Sequence, residues 1–170
     1  VPQLSGEFIL AEDIVPVRYI KKIATETITS STTQQNDDDI AGIALAANKV
    51  YLVQFYGAFL AATGGDIATT WVVGGGAAQL TARTCIGPAT TTTNVTDTTM
   101  RAARHDFTTA VPYGGDGTRS TAIQETFLVE TTTSGNAGTL TLQWAQGTSN
   151  GTGTQLTTST FVVITEVEAG

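Results

Sequence analysis

The sequence is poor in the residues that do chemistry. Its 170 positions hold one cysteine, one histidine and one methionine. The single cysteine, Cys85, excludes an intrachain disulfide. One His and one Cys cannot supply the usual ligands of a zinc centre. Charge is scarce as well, at 14% of residues, where a typical domain has roughly 25%. Only 8 residues are Lys or Arg, with no basic run among them, and the net charge is -7. That balance argues against a nucleic-acid-binding surface, which needs cations to neutralise phosphate. It argues equally against docking on anionic lipid. No stretch reaches the roughly 18 apolar residues of a membrane span. Residues 1–10 lack the basic start and apolar run of a secretory signal. Neither nucleic acid nor membrane is therefore an expected partner, and the chain is expected to be soluble.

What fills the gap is threonine, about a fifth of the chain, together with 18 glycines. Threonine is β-branched, so it stiffens an extended backbone and suits a half-solvated strand face, while glycine supplies turns. Alanine is common too, but it sits mostly between β-branched residues and not at helical spacing. With 41% apolar residues the chain is large enough to bury one real core. Composition points to an all-β domain.

Residues 1–17 differ from the rest. They hold Pro2 and Pro16, the apolar group Phe8, Ile9 and Leu10, and the acids Glu12 and Asp13, with no sustained period of 2 or 3.6. The segment reads as an extended N-terminal arm able to lie on a neighbouring molecule, and residues 18–170 as a single β-sandwich domain. Strands are predicted from alternation over 18–29, 40–45, 50–60, 67–73, 80–86, 122–132, 139–146 and 156–167. Residues 98–107 fit a strand or a short helix. Turn residues separate the runs at 46–49, 63–66, 74–76 and 134–138. Eight or nine strands at this spacing predict an antiparallel, jelly-roll-like sandwich. A closed barrel is the alternative, and no fixed-period repeat supports a propeller or solenoid.

The strand at 50–60 is apolar on both faces: Tyr51, Val53, Phe55 and Phe59 on one, Val50, Leu52, Tyr56 and Leu60 on the other. A strand of that kind is covered on both sides, and a partner subunit is one candidate cover. Trp71 and Trp144 add to an aromatic content that exceeds what one thin sandwich hides, although the plainer reading places both tryptophans in the core.

The search for a catalytic site ends without one. His105, in the run RAARHD, has no nucleophile-elbow sequence to serve. Cys85 reads as a small core residue in an alternating stretch. Asp37, Asp38 and Asp39 form the densest acidic cluster. They lack the alternating spacing and turn glycine of a calcium loop, so the expected role is a turn held by Asp side chains before the strand at Ile40. The remaining acids (Asp66, Asp97, Asp106, Asp116, Glu125, Glu130, Glu166) are too scattered to mark a glycosidase pair. Gly74-Gly75-Gly76 is followed by neither Lys-Ser/Thr nor a helix, as a phosphate loop requires. Asn94-Val95-Thr96 and Asn150-Gly151-Thr152 read as plain loops in so threonine-rich a chain. No catalytic residue, cofactor site or metal site is expected, and the chain is read as not an enzyme.

Three stretches resemble a known family: residues 25–40 (TETITSSTTQQNDDDI), 45–55 (LAANKVYLVQF) and 138–146 (GTLTLQWAQ), the last followed by Thr148-Ser149-Asn150 and a threonine-rich final strand. They resemble a β-sandwich domain of virion proteins of tailed phages, especially long-tailed phages of actinobacteria. In that family the domain occurs in head decoration proteins, in head fibres and at the ends of minor tail proteins. The resemblance runs in the same order over roughly residues 25–165, with LQWAQ its most specific part. It implies a jelly-roll-like fold, a homotrimer and a place on a virus particle, assembled in the host cytoplasm, and it implies no catalytic residues. The arm before Arg18 and the segment 98–113 fall outside it. Tail proteins of the family carry the domain behind a longer N-terminal region, whereas here it fills nearly the whole chain. The expectation is therefore a small capsid decoration protein bound to the major capsid protein on the outer shell. Phe8, Ile9 and Leu10 are expected to anchor it there, and Tyr51, Val53, Phe55 and Phe59 to form the trimer contact. The alternative is a tail-tip or fibre module binding host-surface glycan.

Overall fold

A computed structural model of the chain describes residues 16–93, 99–118 and 120–167. The expected anchor residues Phe8, Ile9 and Leu10, and the loop Asn94-Val95-Thr96, lie outside the described residues. The strands, in chain order, are β1 (Val17–Lys21), β2 (Glu26–Ile28), β3 (Gln35–Asn36), β4 (Ile43–Leu45), β5 (Val50–Leu60), β6 (Ile67–Gly75) and β7 (Ala78–Gln79). They continue as β8 (Arg83–Pro88), β9 (Met100–His105), β10 (Val111–Tyr113), β11 (Thr121–Glu130), β12 (Gly138–Ala145), β13 (Thr154–Leu156) and β14 (Phe161–Val167). The described residues contain no helix.

Every strand pairing is antiparallel. The larger sheet runs β1-β14-β5-β11-β8-β9, with β13, β2 and β7 attached beside it; the smaller runs β10-β6-β12-β3, with β4 on β12. The inward faces of both sheets share one hydrophobic core. Phe55 and Phe127 from the larger sheet meet Trp71 from the smaller edge to face, at centroid distances of 5.5 and 5.1 Å. The chain is thus an all-β sandwich, as composition predicts.

At the centre lies β5, between β14 and β11. Its side chains alternate fully buried and half-buried along all 11 residues, which is the period-2 geometry of a strand with one face on the core. The inward row is Tyr51, Val53, Phe55, Gly57 and Phe59. Gly57 is there for want of space: a Cβ would stand 2.7 Å from Ile123 Cγ1 and 2.8 Å from Phe55 Cζ.

Two expectations change. The run 80–86, predicted as one strand from its alternation, is strand only in its second half. Residues 80–82 lie between β7 and β8 and only 83–86 are strand, Leu80 and Ile86 are both exposed, and the buried parity belongs to Arg83, Cys85 and Gly87. Among the described residues, fourteen strands replace eight or nine because the runs 18–29 and 156–167 each split in two, and β3, β7 and β10 are too short to show a period. The ambiguous run 98–107 is the edge strand β9.

Candidate functional site

The first cluster sits in the middle of the sandwich. Glu125 on β11 is buried among Ile123, Phe127 and Val129. Its Oε2 accepts from Trp71 Nε1 at 2.7 Å and from Arg83 Nη1 at 2.9 Å. Its Oε1 accepts from Tyr113 Oη at 2.8 Å and Thr69 Oγ1 at 2.5 Å. Arg83 donates further to the carbonyls of Thr109, at 2.6 Å, and Thr69, at 3.3 Å. One cation and one anion are therefore closed into a network that joins β6 and β10 of one sheet to β8 and β11 of the other. A carboxylate with four donors and no solvent contact is a cross-sheet tie, with no room for a substrate. Burial, followed by the Glu125 charge, pushes the neighbouring Cys85 thiol up to about 11, so Cys85 is an inert core thiol, as the sequence reading has it. Burial and then the Glu125 charge likewise raise the Tyr113 phenol and keep it a donor. The lone acid on an apolar stripe (Ile123, Glu125, Phe127, Val129) and the base sharing the parity of Cys85 were the signals for this pair.

The second cluster lies where the chain enters the sandwich. Lys22, just after β1, is fully buried, and its Nζ stands 2.7 Å from Asp37 Oδ2, 2.6 Å from Glu26 Oε1 and 3.7 Å from Asp39 Oδ2. Burial works against the ammonium, but Asp37 and Glu26 together outweigh it and hold the Lys22 pKa above its ordinary value. Asp37 is buried with it, and its Oδ1 accepts the backbone N–H groups of Asp39, at 3.0 Å, and Ile40, at 2.7 Å. Glu26 accepts from the Asp38 N–H at 2.7 Å and from Trp144 Nε1 at 3.2 Å. Asp39 turns the other way and accepts the N–H groups of Ile23 and Ala24.

The expected role of 37–39, a turn held by Asp side chains, applies to Asp37, while Asp38 is the solvated member. The carboxylate oxygens of Glu26, Asp37 and Asp39 lie within 4.8 Å of one another, and the place a cation would take among them is filled by the Lys22 ammonium. Sequence reasoning missed Lys22 because the KK pair at 21–22 reads as solvated, and because its neighbour Ile23 is the exposed one, at 83%.

The remaining candidates are dispersed. His105 on β9 is half-buried, and its nearest polar contact is Arg101 Nη2 at 3.4 Å. Burial, then the Arg101 and Arg83 charges, lower its pKa and keep the imidazole neutral. Gly74 and Gly75 end β6 and Gly76 opens the turn to β7, with Gly75 at φ +63° and the Gly76 N–H on the Ala137 carbonyl. Asn150 closes its own turn, accepting the Thr152 N–H at 2.8 Å.

The expected trimer contact requires correction. Tyr51, Val53, Phe55 and Phe59 are buried in the core of their own chain, so no surface of theirs is left for a partner. Trp71 and Trp144 are core as well, and most of the apparent aromatic surplus is absorbed inside one sandwich. What remains outside is a ladder across β1, β14 and β5. Tyr19 stacks on Phe161 at 5.0 Å, and Phe161 on Tyr56 at 4.8 Å. Val17 and Tyr19 on the edge strand are each 61% exposed.

Both clusters are ties of an all-β sandwich whose outer face carries the aromatic ladder, with Tyr19 exposed and Phe161 and Tyr56 half-buried. No protein-family model and no curated protein matches the chain. Among solved structures it is similar to the tripod from the baseplate of bacteriophage Tuc2009, at 10% identity and a TM-score of 0.48, over 99% of this chain and 73% of that one. It is also similar to the VP2 subviral particle of infectious bursal disease virus, at 11% identity and a TM-score of 0.22, over 93% of this chain and 42% of that one.

Proposed function

We propose that the chain is a non-enzymatic structural protein of a phage particle, a trimeric decoration protein that binds the major capsid protein on the outer shell and stabilises it by linkage. The observation that carries this reading is that the three family-like stretches pack into one unit. Trp144 and Gln143 pair with Gln35 and Asn36, Gly138 pairs with Leu45, and the Trp144 indole donates to Glu26. The polar side chains of both clusters are spent on internal ties, which suits a scaffold. The trimer contact is assigned to the ladder face of Tyr19, Tyr56 and Phe161 in place of the core row, and the arm with Phe8, Ile9 and Leu10 to the shell contact.

The test is the solution mass followed by sedimentation with undecorated shells. Three chains of 17.6 kDa that co-sediment with shells are expected, and Tyr19→Ser is expected to shift the mass toward the monomer while leaving thermal stability nearly unchanged. A monomer that ignores shells rejects the reading. A trimer that ignores shells but is retained on host-surface glycan supports the second reading, a tail-tip or fibre module, for which exposed aromatic rings are equally suited.

A further inference from the structure

We propose that Lys22 and Asp37 mature into a side-chain amide bond, formed by the chain on itself, that staples the entry of the nine-stranded sheet to the loop after β3. The reactants are already in place. Lys22 Nζ lies 2.7 Å from Asp37 Oδ2, and both side chains are shut off from solvent, so the encounter is intramolecular and bulk water does not compete. The Asp37 carboxyl is also polarised for attack. Its Oδ1 holds two backbone N–H groups, from Asp39 and Ile40, aimed where the oxyanion of a tetrahedral adduct would form. Glu26 Oε1, 2.6 Å from Nζ, is the proton carrier, and its side chain keeps 19% exposure, the route by which a product water leaves.

The step balances without a further reagent. An ammonium proton passes through Glu26 to Asp37 Oδ2, leaving a neutral amine beside a neutral carboxyl. The Nζ lone pair attacks Asp37 Cγ, and the single negative charge settles on Oδ1 under the two N–H groups. Oδ2 takes up a second proton, from Nζ, and leaves as water as the Oδ1 carbonyl re-forms. An ammonium and a carboxylate become one secondary amide and one water, with no oxidation or reduction. The contacts that hold the Lys22 pKa up make the neutral amine rare, so bond formation is slow. Loss of water from a closed site makes it lasting. Asp37 is the acceptor, and not Glu26, because neither Glu26 oxygen holds a pair of backbone donors: Oε1 takes the single Asp38 N–H and Oε2 the Trp144 indole.

Intact mass of the full chain, followed over days at neutral pH, is the test. A final mass lower than that of the sequence by one water, about 18 Da, is expected, with a branched peptide joining the segments of Lys22 and Asp37 after proteolysis. Lys22→Arg is expected to keep the full sequence mass, and Glu26→Gln to slow the loss at least tenfold. A full sequence mass in the wild-type chain overturns the proposal and leaves an ion pair. So does a loss that persists in Lys22→Arg or maps to Asp116-Gly117, where a succinimide would mimic it. The branched peptide is read on the wild-type chain, so the test survives a variant that fails to fold.

Discussion

The two charge clusters are built on opposite plans. In the centre, one cation and one anion are matched, and the anion's spare lone pairs are taken by neutral donors, Trp71, Tyr113 and Thr69. At the rim, one ammonium faces three carboxylates. The excess negative charge is tolerable there because Glu26 and Asp39 keep partial contact with water, whereas Arg83 and Glu125 have none. The central tie therefore depends on strict pairing, and the rim on hydration and backbone donors. The central pair also illustrates what burial of charge does. Desolvation offsets most of the Coulomb attraction, so its contribution is less net stability than a fixed alignment of one sheet on the other.

The largest effect should come from breaking the matched pair. Arg83→Met leaves Glu125 in the core without its cation and is expected to cost about 3–5 kcal/mol in urea denaturation. Adding Glu125→Leu should return most of that loss, because the pair as a whole contributes little. If the double variant is as unstable as the single, alignment by charge is not the role of the pair. Next comes the packing of the centre. Gly57→Ala should cost about 1–3 kcal/mol, because the new methyl meets Ile123 and Phe55. An unchanged midpoint would mean the centre can yield as the rim does.

The same contrast explains what could be read from the sequence. Where polar residues face out and apolar ones in, alternation was enough. The bounds of β5 coincide with the predicted run, and Leu140, Leu142 and Trp144 of β12 face the core. Where charge is buried, parity inverts. Lys22 is in while Ile23 is out, and Arg83 is in while Ile86 is out, and no rule that reads hydrophobicity residue by residue places them. Asp37, Asp38 and Asp39 stood out as a cluster, but their cation is 15 residues upstream and becomes their neighbour only through the pairing of β1 with β14, of β2 with β13 and of β3 with β12 around it. The inward face of β5 suggested a partner because the depth of the opposite sheet, which covers Tyr51, Val53, Phe55 and Phe59, is not a local property of the sequence, while the outward face with Tyr56 stays only half-buried.

The smallest effects sharpen the comparison through sign. At Asp39 burial raises the pKa, but the N–H groups of Ile23 and Ala24 and the Lys22 charge outweigh it, so the carboxyl sits below its ordinary value. Stability from Asp39 is present above the unfolded pKa of about 3.9 and is lost as pH falls through the folded value. Asp66, at φ +52° in the turn before β6, behaves in the opposite way. Burial raises its pKa, and the single N–H of Gly115, at 3.1 Å, does not compensate. Its contribution is full below the unfolded pKa and is lost as pH rises through the folded one. Asp39→Asn should therefore destabilise at neutral pH by less than about 1 kcal/mol. Asp66→Asn should stabilise by a similar amount, helped by the tolerance of Asn for positive φ. The charge-dependent part of both differences should shrink as pH falls through the carboxylate range into acid. Urea midpoints at neutral and acid pH measure this directly. Shifts of equal sign would mean that hydration at the rim and burial at the turn do not separate the two carboxylates.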